Sequence, residues 1–360
     1  TSIESAPAIV LTAPFATCSV FSVVSVEKEK DNLLFCTQKE IIKHRDEIIR
    51  NNQDLQFKLL KSGIINVYKE KGFTSFDVVA KMRGMFHQKK IGHTGTLDPD
   101  AEGVLPICLG KATKVCDLLT DKDKEYKAVL LLGQETDTQD ISGKVLNTGI
   151  VDMSEEEVKE VILSYIGTYE QTPPMYSALK VNGQKLCDLA RKGITVERKK
   201  RPVQIYNIEI TKINLPEVEM IVSCSKGTYI RTLCDDIGKQ LGCFGCMKSL
   251  LRTKVDKFTI DKAYTLSELE GLIKDKKECE WDFIEPIDGV FQKYESVIAS
   301  EEAQKLVTNG NRIPKDFILD FSEDKKQESV RLYDYNQKFI GIYTYIVESE
   351  EYKPVKLFME

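Results

Sequence analysis

Closely spaced β-strand patterns limit the folds open to this chain more than any other feature of its sequence. The stretch 200–227, KRPVQIYNIEITKINLPEVEMIVSCSKG, predicts two or three strands joined by short turns, and 125–138 begins as a further strand. Helical apolar spacing occurs between such strands, in 76–86, 154–167 and 228–242. The strands outnumber those of one doubly wound sheet, so we predict an α+β fold with a mixed, largely antiparallel sheet flanked by helices.

Length and charge narrow the class of protein further. The chain has 360 residues, which suit two or three folding units. A formal net charge of −5 argues against a uniformly basic, histone-like nucleic-acid binder, but leaves room for a local basic surface. No run reaches transmembrane length, and the apolar stretch at 8–24 lacks a basic segment before it. We therefore expect a cytoplasmic protein without a signal peptide.

The cysteines indicate a reducing compartment. Most of the ten cysteines lie in apolar runs, such as Cys108 in VLPICLG and Cys224 in VSCSKG, where buried thiols are usual. Cys243 and Cys246 have the C-x-x-C spacing of a zinc-ligand pair. No second pair completes such a site, so no metal is expected.

The patterns divide the chain into three regions. Residues 1–60 contain short β-like runs and a capping-box signature beginning at Thr37, so we expect an N-terminal extension of unknown role. Residues 61–285 contain the alternation of strands and helices. Residues 290–360 contain a hairpin-like pair of strands with Asn336 at its turn and the final strand KPVKLF. This predicts a small β-rich C-terminal domain.

The stretch GHTGTLDPDAEGVLP, at 92–106, predicts a loop that places one acidic side chain. Its glycines give backbone freedom, and Pro99 fixes the chain after Asp98. From spacing alone, Asp98 is either a turn-forming residue or a positioned carboxylate, and the turn is the commoner case. No G-K-[ST] follows the glycines, which excludes a Walker-type phosphate loop.

The same stretch closely resembles the signature of the TruB family, the bacterial tRNA pseudouridine(55) synthases. Further segments follow in the order of that family, and together they cover 63–260: GIINVYKEKGFTS, EYKAVLLLGQETDTQD, QTPPMYSALKVNGQKLCDLARKG, CSKGTYIRTLCDDIG and LLRT. The first segment departs from the family at Glu70, where a proline is usual. The resemblance implies the pseudouridine synthase fold, and the C-terminal region is similar to the family's PUA-type RNA-binding domain.

The resemblance also implies a reaction. A uridine in the T loop of tRNA, at position 55, would be isomerised to pseudouridine without a metal or organic cofactor. Asp98 corresponds to the family nucleophile, and Arg231 to the arginine that pairs with it and would keep it ionised. Tyr126 corresponds to the tyrosine that stacks on the target base and assists proton transfer. A structural salt bridge for Arg231 and plain core packing for Tyr126 are the open alternatives.

Three further residues correspond to the substrate pocket of the family. His93 matches a histidine near the space that a flipped uridine vacates. Tyr229 and Leu251 match residues of the pocket wall. Backbone hydrogen bonding by His93 and ordinary core packing by Leu251 are the alternatives.

Two basic clusters are candidates for contacts with tRNA phosphates. The first precedes the 92–106 loop and consists of Lys81, Arg83, Lys89 and Lys90. The second consists of Lys185, Arg191, Lys192, Arg198, Lys199, Lys200 and Arg201. It falls in a stretch, about 171–202, that in the family closes over tRNA as a flexible insertion. A charge run is usually a solvated face, but beside this catalytic motif we favour phosphate positioning.

The expected partner is therefore the T arm of tRNA, bound by a monomer with its target uridine flipped out. Two other functions remain open. One is a guide-RNA-dependent rRNA pseudouridine synthase, which the unbroken insertion does not favour. The other is a tRNA-folding chaperone that acts by binding alone, which the presence of Asp98, Tyr126 and Arg231 does not favour.

Overall fold

The structure is a computed structural model, which describes residues 61–181, 183–275, 281–319, 321 and 329–359. The expected N-terminal extension at 1–60, with its capping box at Thr37, lies outside these residues. In the part of the chain that the structure describes, no helix has the length and apolarity needed to cross a membrane.

Strands dominate the described residues, and the helices predicted from apolar spacing are present among them. The α-helices are α1 (Ser75–Phe86), α2 (Cys116–Thr120), α3 (Glu155–Leu163), α4 (Leu186–Arg191), α5 (Ile230–Gln240), α6 (Leu266–Asp275) and α7 (Gln304–Thr308). The strands are β1 (Gly63–Lys69), β2 (Ile91–His93), β3 (Glu102–Leu109), β4 (Lys124–Leu132), β5 (Gln134–Thr136), β6 (Val145–Thr148), β7 (Gly167–Gln171), β8 (Lys180–Val181), β9 (Gln184–Lys185), β10 (Arg201–Asn214), β11 (Glu217–Cys224), β12 (Gly245–Val255), β13 (Phe258–Thr259), β14 (Glu295–Ile298), β15 (Ile313–Pro314), β16 (Val330–Tyr333), β17 (Phe339–Ile346) and β18 (Glu351–Leu357).

The main sheet is mixed and largely antiparallel. Its strand order is β1-β3-β12-β4-β11-β10-β7, with β2 beside β3 and β13 beside β12. Strands β3 and β12 run parallel, whereas β12 and β4, and β4 and β11, run antiparallel. The predicted hairpin is formed by β10 and β11. The α+β prediction is therefore confirmed.

Helices cover this sheet through two hydrophobic clusters. Val158 of α3 and Ile237 of α5 pack in one cluster with Leu130 of β4. Val79 of α1 and Leu269 of α6 pack in the other, together with residues of β1 and β3. Burial of these apolar faces is the main favourable contribution to the fold.

Capping boxes fix the starts of α1 and α3. The Thr74 hydroxyl accepts from the Asp77 N–H, and the Asp77 carboxylate accepts from the Thr74 N–H. Ser154 and Glu157 make the same reciprocal pair before α3. Each pair satisfies two backbone donors that a helix start leaves free, and such a cap contributes about 1 kcal/mol.

The C-terminal strands form a second sheet, in the order β14-β16-β17-β18-β15. The hairpin predicted around Asn336 is confirmed, because β16 and β17 pair antiparallel on either side of it. Phe358 and Ile342 of this sheet belong to a hydrophobic cluster with Ile64 of β1 and Val104 of β3. The C-terminal β-rich domain therefore packs on the main sheet close to the strand that leaves the Asp98 loop.

Helix α5 approaches strand β12 more closely than side chains allow. Gly238 of α5 faces the backbone of Phe244 and Gly245, and a Cβ added at Gly238 would overlap it. Because α5 also carries Arg231, this close packing helps to set the position of the arginine against the sheet.

Replacing Gly238 with alanine should lower the free energy of unfolding by about 1–3 kcal/mol, because the helix must move away from β12. Gly84→Ala in α1 is the matched control. Its added methyl group meets no neighbour within 4 Å, so it should raise stability by about 0.5–1 kcal/mol. Urea denaturation measures both changes, and a Gly238→Ala protein at least as stable as the native chain would disprove the close contact.

Candidate active site

Asp98 lies on the short loop that joins β2 to β3. The two strands pair antiparallel, with His93 opposite Ile107, so the loop ends are held side by side. The loop predicted over 92–106 is thus too long, because its first two residues end β2 and residues from Glu102 onward begin β3. Backbone hydrogen bonds between these strands replace the open loop that the glycines and prolines suggested.

The backbone of Asp98 forms a turn while its side chain remains available. The Asp98 carbonyl accepts from the Ala101 N–H at 3.1 Å. The carboxylate points instead to Arg231, and its side chain is 41% exposed. The two interpretations of Asp98, a turn former and a positioned carboxylate, are therefore compatible in one residue.

Two buried polar side chains hold this loop from beneath. The Ser75 hydroxyl, at the start of α1, accepts from the Leu97 N–H at 2.9 Å and donates to the Leu97 carbonyl at 3.3 Å. Lys69 Nζ, at the end of β1, donates to the carbonyls of Pro99 at 3.1 Å and Ala101 at 2.5 Å. Burial lowers the pKa of Lys69 to about 8, although Glu102 and Asp98 oppose this shift.

Arg231 clamps the Asp98 carboxylate side-on. Its Nε lies 3.0 Å from Asp98 Oδ2, and its Nη2 donates to Oδ1 at 3.4 Å. The arginine side chain is 6% exposed, so the cation is buried while the carboxylate stays accessible. A bidentate arginine fixes both the position and the orientation of a carboxylate.

Three other groups hold Arg231 in place. Its Nη1 donates to the Thr138 carbonyl at 3.1 Å and lies 3.6 Å from the Asp140 carboxylate. Its Nη2 donates to the Tyr176 carbonyl at 2.8 Å. Arg231 thereby joins α5 to the Asp98 loop, to the segment after β5 and to the insertion between β7 and β10.

Burial raises the pKa of the Asp98 carboxyl above its ordinary value, and Arg231 is the main group that opposes this. Lys69 also lowers the Asp98 pKa, whereas Asp140 and Asp100 raise it. Arg231 acts in the predicted direction, but its effect does not outweigh desolvation.

Tyr126 and His93 lie near the loop. Tyr126 is buried in β4, and the Asp98 charge contributes to its raised pKa after the larger effect of burial. His93 ends β2, and burial lowers its pKa, with a further contribution from Arg252. The His93 Nδ1 is buried and has no hydrogen-bond partner in the described ranges. The described residues therefore leave this polar atom of His93 unsatisfied.

Tyr229 immediately precedes α5, and a side-chain amide holds its backbone. Gln171 Nε2 donates to the Tyr229 carbonyl at 2.9 Å, and the Tyr229 N–H donates to Gln171 Oε1 at 2.8 Å. Gln171 is 1% exposed and ends β7, where the insertion begins. The sequence did not reveal this pair of hydrogen bonds, although Gln171 is the first residue of the segment QTPPMYSALKVNGQKLCDLARKG.

The strand register separates Leu251 from Tyr126. Leu251 lies opposite Lys127, whereas Leu250 lies opposite Ala128 and belongs to the hydrophobic cluster that contains Tyr126. Because side chains alternate between the faces of a strand, the structure brings Leu250 to the face of Tyr126 and turns Leu251 away. Leu251, the residue predicted for the pocket wall, therefore does not share the face of Tyr126, whereas Leu250 does.

Most of the basic side chains are exposed, whereas Arg83 and Arg198 are half-buried. Lys90 is exposed just before β2, and Lys185, Arg191 and Lys192 are exposed around α4 in the insertion. Arg191 also lies 3.6 Å from the Asp188 carboxylate. Other members have local partners: Lys81 lies over the Phe73 ring, and Arg83 over the Phe76 ring.

Arg252 is the main site residue that sequence reasoning missed. It lies in β12 and is 1% exposed, and it donates to the carbonyls of Val104 at 2.7 Å and Gly95 at 3.2 Å. An arginine inside the apolar stretch SLLRTKV was a usable signal, because a charge is rarely buried without a partner.

Comparisons with known proteins agree with this geometry. The family model "TruB family pseudouridylate synthase (N terminal domain)" matches residues 83–230, and "tRNA pseudouridylate synthase B C-terminal domain" matches 231–295. The "tRNA pseudouridine synthase B" of Lachnoclostridium phytofermentans is 51% identical, over 83% of this chain and 100% of that protein. The protein of the same name from Alkaliphilus oremlandii is 45% identical, over 80% of this chain and 100% of that protein.

Among solved structures, the chain is similar to one titled "Crystal Structure of a Cbf5-Nop10-Gar1 Complex". The TM-score is 0.61 at 27% identity, and the match covers 82% of this chain and 85% of that one. The similarity supports the predicted fold over both sheets.

Removing the Ser75 hydroxyl should destabilise the Asp98 loop. Ser75→Ala leaves the buried N–H and carbonyl of Leu97 unpaired, which should cost about 1–3 kcal/mol in the free energy of unfolding. Hydrogen exchange of the Leu97 amide should lose protection in the same variant. In the control Ser164→Ala, an exposed hydroxyl is lost and stability should change by less than about 0.5 kcal/mol. Unchanged Leu97 protection in Ser75→Ala would contradict the assigned anchor.

Proposed function

Because this chain belongs to the TruB family of pseudouridylate synthases, we propose that it converts the uridine at position 55 of tRNA, in the T loop, to pseudouridine, with Asp98 as nucleophile. The tRNA substrate is supported by relatives named tRNA pseudouridine synthase B, which the chain matches over their whole length. The observation that carries the mechanism is the accessible Asp98 carboxylate, held 3.0 Å from the buried Arg231.

Asp98 attacks the flipped-out nucleotide and forms a transient covalent bond with it. Covalent catalysis divides a difficult exchange, in which a glycosidic bond breaks and C5 joins the ribose, into easier steps. Arg231 favours the ionised, nucleophilic carboxylate and fixes its direction of attack. The detached uracil must remain in the pocket, so that the second bond forms before the base escapes.

The neighbouring side chains serve the base. Tyr126, next to the loop, stacks on the uracil and assists the transfer of its proton. His93 occupies the space near the uridine's former position, and its buried, unsatisfied Nδ1 accepts a hydrogen bond when the bound nucleotide reaches it. Base flipping costs a few kcal/mol, which such contacts offset.

The exposed cations hold the tRNA backbone. Lys90 precedes the Asp98 loop, whereas Lys185, Arg191 and Lys192 lie on the insertion that adjoins Arg231 through Tyr176. Phosphate contacts position a nucleic acid without reading its sequence, and they weaken as salt rises. Closure of the insertion over the T arm would therefore bring phosphate contacts and the catalytic arginine together.

A guide-RNA-dependent reaction is the less supported alternative. The structural neighbour titled as a Cbf5-Nop10-Gar1 complex shares 27% identity with this chain, against 51% and 45% for the two relatives named tRNA pseudouridine synthase B. We therefore propose a stand-alone enzyme.

Incubation with an unmodified tRNA transcript, without guide RNA, tests the proposal. Wild-type protein should form pseudouridine at position 55, whereas Asp98→Asn should form none and should still bind the tRNA, because only the nucleophile is lost. Position-resolved mapping of pseudouridine and a tRNA binding assay measure the two results.

The neighbouring exposed carboxylate Asp100 provides the matched control, since Asp100→Asn removes one negative charge from the same loop and should retain product formation. Product from Asp98→Asn at the wild-type rate would rule out the assigned nucleophile. Product that appears only after addition of a guide RNA would instead support the alternative.

A further inference from the structure

Arg252 is a buried cation whose chemical role the reaction described so far does not explain. Its side chain is among the largest fully buried ones, and burial lowers its pKa. The group that opposes this shift is Tyr126, and not a carboxylate. A guanidinium taken out of water costs several kcal/mol unless nearby groups compensate it. The burial of Arg252 therefore indicates a functional role for its charge.

Backbone carbonyls before and after Asp98 hold the Arg252 side chain in place. Its guanidinium bonds the carbonyl of Gly95 before Asp98 and that of Val104 after it. Gly103 lies opposite Arg252 in the parallel ladder. A Cβ at Gly103 would overlap the Arg252 backbone, and the φ of Gly103, 106°, is in the region that favours glycine. The arginine thus has little freedom to move away from the loop.

Tyr126 is the cross-strand neighbour of Arg252. The two residues are opposite each other in the antiparallel ladder of β4 and β12, and the guanidinium lies beside the phenol group. Burial raises the pKa of Tyr126, and Arg252 is the main group that opposes this. Cys224 of β11 and Asp98 raise the Tyr126 pKa further.

Three basic groups that interact with Arg252, two lysines and a histidine, supply no negative charge that would neutralise it. Lys69 of β1, Lys124 of β4 and His93 of β2 each have a pKa that the Arg252 charge lowers. A buried positive region of this kind stabilises an anion that forms within it. The Tyr126 hydroxyl, on the cross-strand neighbour of Arg252, is a group that can become such an anion.

We propose that Arg252 positions Tyr126 and stabilises its phenolate form, in which the tyrosine removes the proton from C5 of the rejoined uracil. This inference rests on the proposed pseudouridine synthase reaction. Tyr126 first releases its own hydroxyl proton to solvent; the C5 proton then passes to its oxygen, which becomes a neutral hydroxyl again. The electron pair of the C–H bond forms the C5=C6 double bond, and N1, which has left the ribose, takes up a proton from solvent. Arg252 is thus a positioning residue that acts through Tyr126.

A double-mutant cycle between Arg252 and Tyr126 tests this assignment. Single-turnover rates of pseudouridine formation on tRNA are measured for wild type, Arg252→Gln, Tyr126→Phe and the double variant. In the wild-type background, Arg252→Gln should reduce the rate at least about tenfold. In the Tyr126→Phe background the same change should reduce it less than about threefold, because the effects of mutations at two residues that act together are not additive. The tRNA dissociation constant should stay within about threefold throughout, and Arg252→Lys should recover part of the rate, since it keeps the charge.

The controls separate this role from a purely structural one. Lys248→Met removes an exposed cation, paired with Glu217, from the same strand and should leave the rate unchanged. If Arg252→Gln does not fold, Arg252→Lys takes its place in the cycle. If the rate of the double variant falls by the product of the two single-variant losses, the inference is overturned, because Arg252 would then act only on the loop. An inactive wild type would overturn the proposed function and this inference together, whereas an active wild type with independent losses would overturn this inference alone.

Discussion

The side-on ion pair between Arg231 and Asp98 is the interaction on which the arrangement of the site depends. It connects residues 133 positions apart, so it depends on the tertiary arrangement that brings α5 and the Asp98 loop together. The close contact of Gly238 with β12 fixes the position of α5. The hydrogen bonds from the Gln171 side chain fix the backbone of Tyr229, the residue before α5. Because these contacts already hold the arginine in place, little conformational entropy is lost when the ion pair forms. The pair can therefore orient the carboxylate precisely.

The sequence predicts most of the architecture because the determining signals are local. Alternating and helical apolar patterns, the capping box at Thr74 and the hairpin around Asn336 each depend on a few adjacent residues. The catalytic residues are different. Asp98 has the local pattern of a turn, and only the ordered segments shared with a known family distinguish it from other turn-forming aspartates.

Register and burial depend on contacts that the sequence pattern does not contain. The ladder of β12 against β4 shifts between Met247 and Ser249, and such an irregularity changes which later side chains face the core. The family resemblance assigned Leu251 to the pocket wall, whereas the strand pairing places Leu250, and not Leu251, on the face of Tyr126. Arg252 was missed for a related reason, since its partners are carbonyls and a tyrosine on other strands.

Two buried cations hold the backbone of the loop that carries Asp98, beside the apolar packing of Leu97 and Ala101. Lys69 holds the carbonyls after Asp98, and Arg252 holds those at the two ends. Apolar residues of similar size would avoid the cost of burying charge, so stability alone does not account for them. Their positive charge lowers the free energy of anions formed nearby. The same loop support thereby favours an ionised Asp98 at the start of the reaction and an ionised Tyr126 before the last proton transfer.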